Sequence, residues 1–331
     1  MIRFGICGCG GFMERGVLPL VTKVDGVKVT AAFDQDAARM NKVGDQFGIS
    51  RRYGSAEELI QSPEIDIVYI ASPNAFHKDQ TLAAAKAGKH VFCQKPMGIN
   101  AGECRQMVDA CRAGGVKLGI GFCYPFAGAQ QKAREMIRQG AIGKVSYYSI
   151  SYSLGGYNKD TVGWRCDPKL SGGGPLMDIA PHLVNLGCFL LDDKVQSVMS
   201  YVRPDLTAKD IELDAVALFE FTGGARGLID TSFVRSHMHT YSIIGTGGSI
   251  RAVGTMCWRI SGSLFLEADG KTRDVPFDMT EGIEEEIRQF VQAIEQNREV
   301  PMPGQAGLHA QAVIDAIYKS ARSGKRCLIK D

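Results

Sequence analysis

Ile2-Arg3-Phe4-Gly5-Ile6-Cys7-Gly8-Cys9-Gly10-Gly11-Phe12-Met13 stands at the head of the chain. Its first part is a short apolar run, too short for a helix, that ends in glycines. That pattern predicts a buried strand feeding a tight turn and then a helix. The first glycine, Gly8, allows the tight turn. The second, Gly10, lets a pyrophosphate approach the backbone at the positive end of a helix. The third position of the dinucleotide pattern asks for Gly or Ala and carries Met13, with Gly11 and Phe12 before it. About twenty residues further on comes Asp34, at the end of a second apolar run, Val27–Asp34. A carboxylate there accepts from ribose hydroxyls and repels a 2′-phosphate, so NAD is expected rather than NADP. Gln35, with no charge, agrees with that preference. Asp36 is the better candidate for the cap of the following helix.

Outward from this turn the first half alternates strand and helix. Runs at 66–72, 90–94 and 116–122 are nearly continuous in apolar residues, as strands covered on both faces should be. Helical patterns fill the gaps at 36–47, 56–61 after Ser55, 77–87 and 101–113 after Asn100, with Glu103 placed as a capping partner. Repeated βαβ units give a doubly wound parallel sheet of the Rossmann type. Past 122 the pattern changes. A helix at 127–139 precedes extended runs at 146–154, 195–203, 213–221, 226–234, 240–245 and 264–268. One helical segment near 177–191 interrupts them, and helices at 283–296 and 307–323 follow. The expectation is an α/β chain with a dinucleotide-binding domain at 1–122. A second α/β domain with an open, mostly antiparallel sheet follows at 123–331.

Composition narrows the function. The chain has 331 residues, 45% hydrophobic and 22% charged, with a formal net charge of +2. No basic stripe marks a nucleic-acid surface, and no apolar stretch reads as long enough to span a bilayer. The first residues enter a strand pattern without the regions of a signal peptide. Ten cysteines, at 7, 9, 93, 104, 111, 123, 166, 188, 257 and 327, form no CxxC pair and no zinc spacing. Reduced thiols, no metal site and a cytoplasmic location are therefore expected. His237 and His239 alternate on one run, but no third ligand stands near them in sequence.

Two further groups carry chemistry. Asp178 and His182 are four apart, which on a helix puts both on one face. Imidazole titrates near neutrality and suits a general base. Lys95 lies just past the carboxyl end of the 90–94 strand, where open α/β sheets bind ligands, and a cation there stabilises a developing alkoxide. The glycines at 172–174 let the backbone approach something closely, or simply turn.

Ser72-Pro73-Asn74-Ala75-Phe76-His77, Gly88 through Pro96, Gly163-Trp164-Arg165, Ser171 through Gly174 and Asp178-Ile179-Ala180-Pro181-His182 come in this order. Together they resemble the Gfo/Idh/MocA oxidoreductase family over essentially the whole chain. The segment from 163 to 193 is most similar to that of its sugar, anhydrosugar and glycoside dehydrogenases. The resemblance implies cofactor contacts from Gly8, Gly10, Gly11, Phe12, Met13, Asp34, Ser72, Asn74, His77, Gln94, Lys95, Trp164 and Arg165. It implies substrate contacts from Lys95, Tyr124, Asp178 and His182, with Lys95, Asp178 and His182 as the acid–base set. The second domain's sheet is expected to build a homodimer or homotetramer. Three positions depart from the family: Gln94 replaces a glutamate, Ala180 a glycine, and Pro125 an arginine found in many relatives. The resulting expectation is hydride transfer between nicotinamide and a ring carbinol carbon of a sugar, cyclic polyol or glycoside. Two rivals are a retained NAD used for transient oxidation during elimination or hydrolysis, and a non-catalytic NAD-binding regulator.

Overall fold

The computed structural model describes residues 1–156, 163–204, 210–256 and 261–330. Two compact units emerge. The first takes Met1–Phe122 and Ile283–Leu308; the second takes Cys123–Gly282 and His309–Asp331. The sequence reading assigned all of 123–331 to the second domain. The stretch Ile283–Leu308 instead clusters with the first, and particular contacts show why. A Cβ on Gly119 would lie 2.6 Å from the Phe290 ring. Phe290 in turn meets Phe92 edge-on at 5.0 Å. Ile120 N donates to Met302 O at 2.9 Å, so the returning segment covers a sheet edge.

Among the described residues the first unit carries six parallel strands: β1 (Ile2–Cys7), β2 (Val27–Phe33), β3 (Arg51–Arg52), β4 (Ile67–Ile70), β5 (His90–Gln94) and β6 (Leu118–Gly121). Their order is β3-β2-β1-β4-β5-β6. The order reverses between β1 and β4, the switch point at which such sheets bind dinucleotides. All four residues of β4 and of β6 are buried, which their unbroken apolarity anticipates. The caps read from sequence are made. Asp36 accepts from Arg39 N, Ser55 from Glu58 N and Asn100 from Glu103 N, at 2.9–3.1 Å. Glu103 reaches back to Ile99 N.

Among the described residues the second unit is built on a nine-stranded sheet. Its strands are β7 (Val145–Ser153), β8 (Val195–Arg203), β9 (Asp214–Phe221), β10 (Arg226–Ser232), β11 (Met238–Gly245), β12 (Gly248–Val253), β13 (Ser263–Ala268), β14 (Lys271–Asp274) and β15 (Cys327–Leu328). Their order is β14-β13-β12-β11-β7-β10-β9-β8-β15. Only β7 and β10 run parallel; the other neighbours are antiparallel. One face is covered by helices. Tyr148 OH donates to Leu183 O at 3.2 Å, and Ser200 Oγ to Ile317 O at 2.7 Å. On β8 and β9 the opposite face stays open: Met199 and its cross-strand partner Leu218 are exposed, and Tyr201 is 74% exposed.

The run Pro168–Leu191 is, by length and composition, apolar enough to cross a membrane, contrary to the sequence reading. It is mostly buried, and it is interrupted into Pro168–Ser171, Pro175–Asp178 and Ala180–Leu191. Such a stretch is what the core helices of a folded unit look like.

Candidate functional site: a dinucleotide turn and a histidine-bearing helix

The glycine turn leaves β1 as the sequence requires. Gly8 has φ +103°, and a Cβ there would sit 2.5 Å from Ala71 O, so only glycine fits. Gly10 differs: a Cβ there would meet nothing within 4 Å. That open space beside a helix start is what a pyrophosphate needs. The helical run begins at Gly11 and passes through a π-helical turn at Met13–Val17, where the departure from the fingerprint falls. Met13 itself is 1% exposed. Its side chain belongs to the core, so any part Met13 takes at the turn falls to its backbone.

Asp34 is held at the end of β2 by four donors. Its Oδ2 accepts from Cys9 N at 2.7 Å and Arg39 Nε at 3.1 Å. Its Oδ1 accepts from Asp36 N at 2.8 Å and Arg39 Nη2 at 2.6 Å. Burial pushes this carboxyl up, but the Arg39 guanidinium and the two backbone N–H groups outweigh it and hold the pKa below the usual carboxylate value. The carboxylate is thus ionised and aimed. Sequence reasoning missed Arg39. Its signal was an arginine three residues into a helix capped by Asp36, one turn from Asp34.

The loops after β4 and β5 are joined by His77. One ring nitrogen lies 2.9 Å from Pro96 O and the other 2.9 Å from Ser72 O. The side chain is 1% exposed, and burial lowers its pKa. His77 therefore braces the Lys95-Pro96 turn against the loop after β4. Asn74 is buried on the short turn Asn74–Phe76. Ser72 Oγ donates to Gln80 Oε1 at 2.8 Å. Gln94 takes the glutamate's place at the end of β5 and donates to Tyr69 OH at 2.6 Å. Lys95 follows it at the strand's carboxyl end, partly exposed.

These residues fit a dinucleotide. Gly8 and Gly10 would admit the pyrophosphate, Asp34 the adenosine ribose, and the ends of β4 and β5 the nicotinamide half.

In the second unit, Asp178 and His182 do not share one continuous helix. Asp178 ends Pro175–Asp178, and His182 sits in the first turn of Ala180–Leu191. The cause is Pro181: lacking an N–H, it cannot bond back to Met177 O, and His182 N bonds to Ile179 O instead. Asp178 Oδ1 lies 3.5 Å from Arg165 Nε, and the Arg165 guanidinium stacks 4.6 Å over the Trp164 ring. The His182 ring faces the Tyr124 ring, 4.5 Å away and tilted by 30°. Two groups result in this unit: Trp164, Arg165 and Asp178, and Tyr124 with His182.

The glycine run has a protein explanation. A Cβ on Gly174 would lie 1.9 Å from Glu212 O, and one on Gly173 2.1 Å from Tyr318 OH. Close approach is to the protein's own backbone and side chains. Sequence reasoning overlooked both Glu212 and Tyr318, because a lone buried Glu and a helix Tyr carry no motif.

The fold and the turn at Gly8 define an oxidoreductase that uses a nicotinamide dinucleotide. Residues 2–122 match the model of the oxidoreductase family with an NAD-binding Rossmann fold, and residues 130–251 match the GFO/IDH/MocA C-terminal domain. The chain belongs to the Gfo/Idh/MocA oxidoreductase family. It is 30% identical to D-xylose 1-dehydrogenase (NADP(+)) 2 of Haloferax volcanii, over 98% of each chain. It is 28% identical to 1,5-anhydro-D-fructose reductase of Ensifer adhaerens, over 100% of this chain and 99% of the other. Its structure superposes on aldose-aldose oxidoreductase from Caulobacter crescentus, complexed with glycerol, with a TM-score of 0.92, 25% identity and 99% coverage of both.

Proposed function

We propose that this protein is an NAD-preferring dehydrogenase acting on a ring carbinol of a sugar, cyclic polyol or glycoside. The observation that carries the cofactor choice is the ionised Asp34 carboxylate, fixed by Cys9 N and Asp36 N beside the open space at Gly10. The substrate class rests on the names of the relatives, which act on sugars and an anhydrosugar.

The bound dinucleotide supplies the hydride acceptor at nicotinamide C4. The chain's residues handle the proton. In oxidation His182 takes the hydroxyl proton as general base, a role that typically contributes about 10²–10⁴-fold. Lys95 stabilises the developing alkoxide. Asp178, steadied by Arg165, binds a neighbouring hydroxyl, and the Tyr124 ring keeps the His182 imidazole in its orientation. In reduction the same proton returns from His182 to the carbonyl oxygen.

The test is a panel of sugars, inositols and glycosides, scored by the absorbance of reduced nicotinamide with NAD and with NADP. Turnover that survives His182→Ala on a true substrate would overturn the catalytic assignment. Cofactor retained through purification, with product formed and no net reduced nicotinamide, would favour transient oxidation instead. The open face around Tyr201, Leu218 and Met199 suits self-association into a homodimer or homotetramer. Light scattering of Tyr201→Asp against the parent protein tests that part.

A further inference from the structure

We propose that Glu212 is a positioning residue for substrate binding, which caps the one-turn helix Pro175–Asp178 from a neighbouring segment and so fixes where Asp178 stands. The proposal rests on the reading of Asp178 as the residue that binds a substrate hydroxyl. A single helical turn has too few hydrogen bonds to hold itself together and depends on what packs around it. This one starts on Gly174, which has no side chain to cap it. Its next residue, Pro175, offers no N–H. In an ordinary capping box the first residue's side chain accepts from the second or third helical N–H. A Glu or Gln at the third position then returns to the first residue's N–H. Here the third position is Met177. Glu212 makes both kinds of bond alone. Its Oε1 accepts from Leu176 N at 2.9 Å and its Oε2 from Gly174 N at 3.0 Å.

The effect carries to Asp178 through the backbone. Gly174 O accepts from Asp178 N at 2.9 Å, so the residue that Glu212 grips also holds the residue that ends the turn. Two close approaches leave the turn no other place. Glu212 O takes the space of a Cβ on Gly174, and Tyr318 OH that of a Cβ on Gly173. The other contacts of the turn are weaker or act elsewhere. Gln311 Nε2 donates to Met177 Sδ at 3.5 Å, and a thioether is a weak acceptor. Arg165 Nε lies 3.5 Å from Asp178 Oδ1 and steers the side chain, not the backbone. Glu212 itself is 1% exposed, so it acts through the turn rather than on the substrate.

The test compares the full-length parent with Glu212→Gln, Asp178→Asn and the double variant. Glutamine fills the same buried space but has one acceptor oxygen, so one of the two N–H groups is stranded. Hydrogen exchange read by mass spectrometry should quicken over 174–182 in Glu212→Gln and keep the parent's rate in β10 and β11. This measurement needs no substrate. Kinetics use NAD with D-xylose, or with whichever panel sugar the parent turns over faster. Asp178→Asn is expected to raise the KM for sugar about tenfold or more, through the loss of a hydrogen bond to a charged group. Glu212→Gln should raise it about threefold or more, while kcat and the KM for NAD stay within about twofold of the parent's. The double variant should match Asp178→Asn, because both changes remove the same contact. A turn that exchanges as slowly in Glu212→Gln as in the parent overturns the proposal. So does an unchanged KM for sugar in Glu212→Gln, or two effects that simply add in the double variant; a raised KM in Asp178→Asn then leaves the reading of Asp178 standing. If Asp178→Asn keeps the parent's KM, the hydroxyl-binding reading itself fails and the proposal falls with it.

Discussion

Glu212 fixes the peptide at Gly174: its Oε2 accepts from Gly174 N at 3.0 Å and its Oε1 from Leu176 N at 2.9 Å. Gly174 O in turn accepts from Asp178 N at 2.9 Å. A buried carboxylate thus anchors the turn that presents Asp178. Glu212→Ala strands two N–H groups at about 1–3 kcal/mol each, read as a fall in the urea midpoint. Burial raises the Glu212 pKa above its ordinary value even though the N–H bonds pull the other way. A raised pKa contributes stability that is present below the unfolded value and lost as pH rises through the folded one. The stability deficit of Glu212→Gln, which mimics the protonated acid, should therefore shrink as pH rises. A deficit that grows with pH would contradict the assignment.

His77 gives the opposite sign. Its folded pKa is depressed by burial below the ordinary 6.5. Its contribution is complete above 6.5 and is lost as pH falls through the folded value. His77→Leu should flatten that acid limb of the stability–pH curve. It should also cost about 1–3 kcal/mol at neutral pH by stranding the one carbonyl, Ser72 O or Pro96 O, to which the neutral ring donates. An acid limb of unchanged slope in the variant would remove His77 from the account.

The two glycines of the turn are expected to separate folding from binding. Gly8→Ala forces a left-handed φ and a clash with Ala71 O, so it should lower the melting temperature and the dinucleotide affinity together. Gly10→Ala points a methyl group into open space. Its melting temperature should match the parent's while its affinity for dinucleotide falls. Full affinity in a normally folded Gly10→Ala would mean that the pyrophosphate does not pass there.

The thiols offer a chemical check. Burial pushes Cys7, Cys9 and Cys111 up to about 12, and Cys93 far above its ordinary value. These should resist a disulfide reagent in the native state, while the partly exposed Cys123, Cys166 and Cys188 react first. Mass mapping of the labelled cysteines reads the order. Cys257 lies outside the described residues.

Strong local signals made most of this molecule legible in its sequence. The long β8 strand and the helix Ala101–Ala113 match their expected bounds. Three valines and a tyrosine in the one, and a cap with helical periodicity in the other, leave little choice. What escaped lacked such signals. β3 is Arg51-Arg52 and β14 is Lys-Thr-Arg-Asp, edge strands whose charges protect an open edge and erase the apolar pattern. At the candidate site the turn at Gly8 and Asp34 could be read because their spacing is dictated by a ligand. Arg39 had a local signal that was passed over, five residues from Asp34, whereas Glu212 could not be read, because its partner is brought near by the fold: Glu212 is 38 positions from Gly174. The helix break at Ile179 was visible in principle in Pro181, but the four-residue spacing of Asp178 and His182 masked it.

The segment Ile283–Leu308 closes the β6 edge and packs Phe290 against Gly119 and Phe92. During synthesis, those partners leave the ribosome only after the whole of Cys123–Gly282. The nascent first unit must therefore wait, with its β6 edge open and an aromatic socket empty, while about half the protein is translated. Completion of the first unit thus waits for residues 283–308 to emerge, and a chain stopped at Phe122 would keep its β6 edge unpaired.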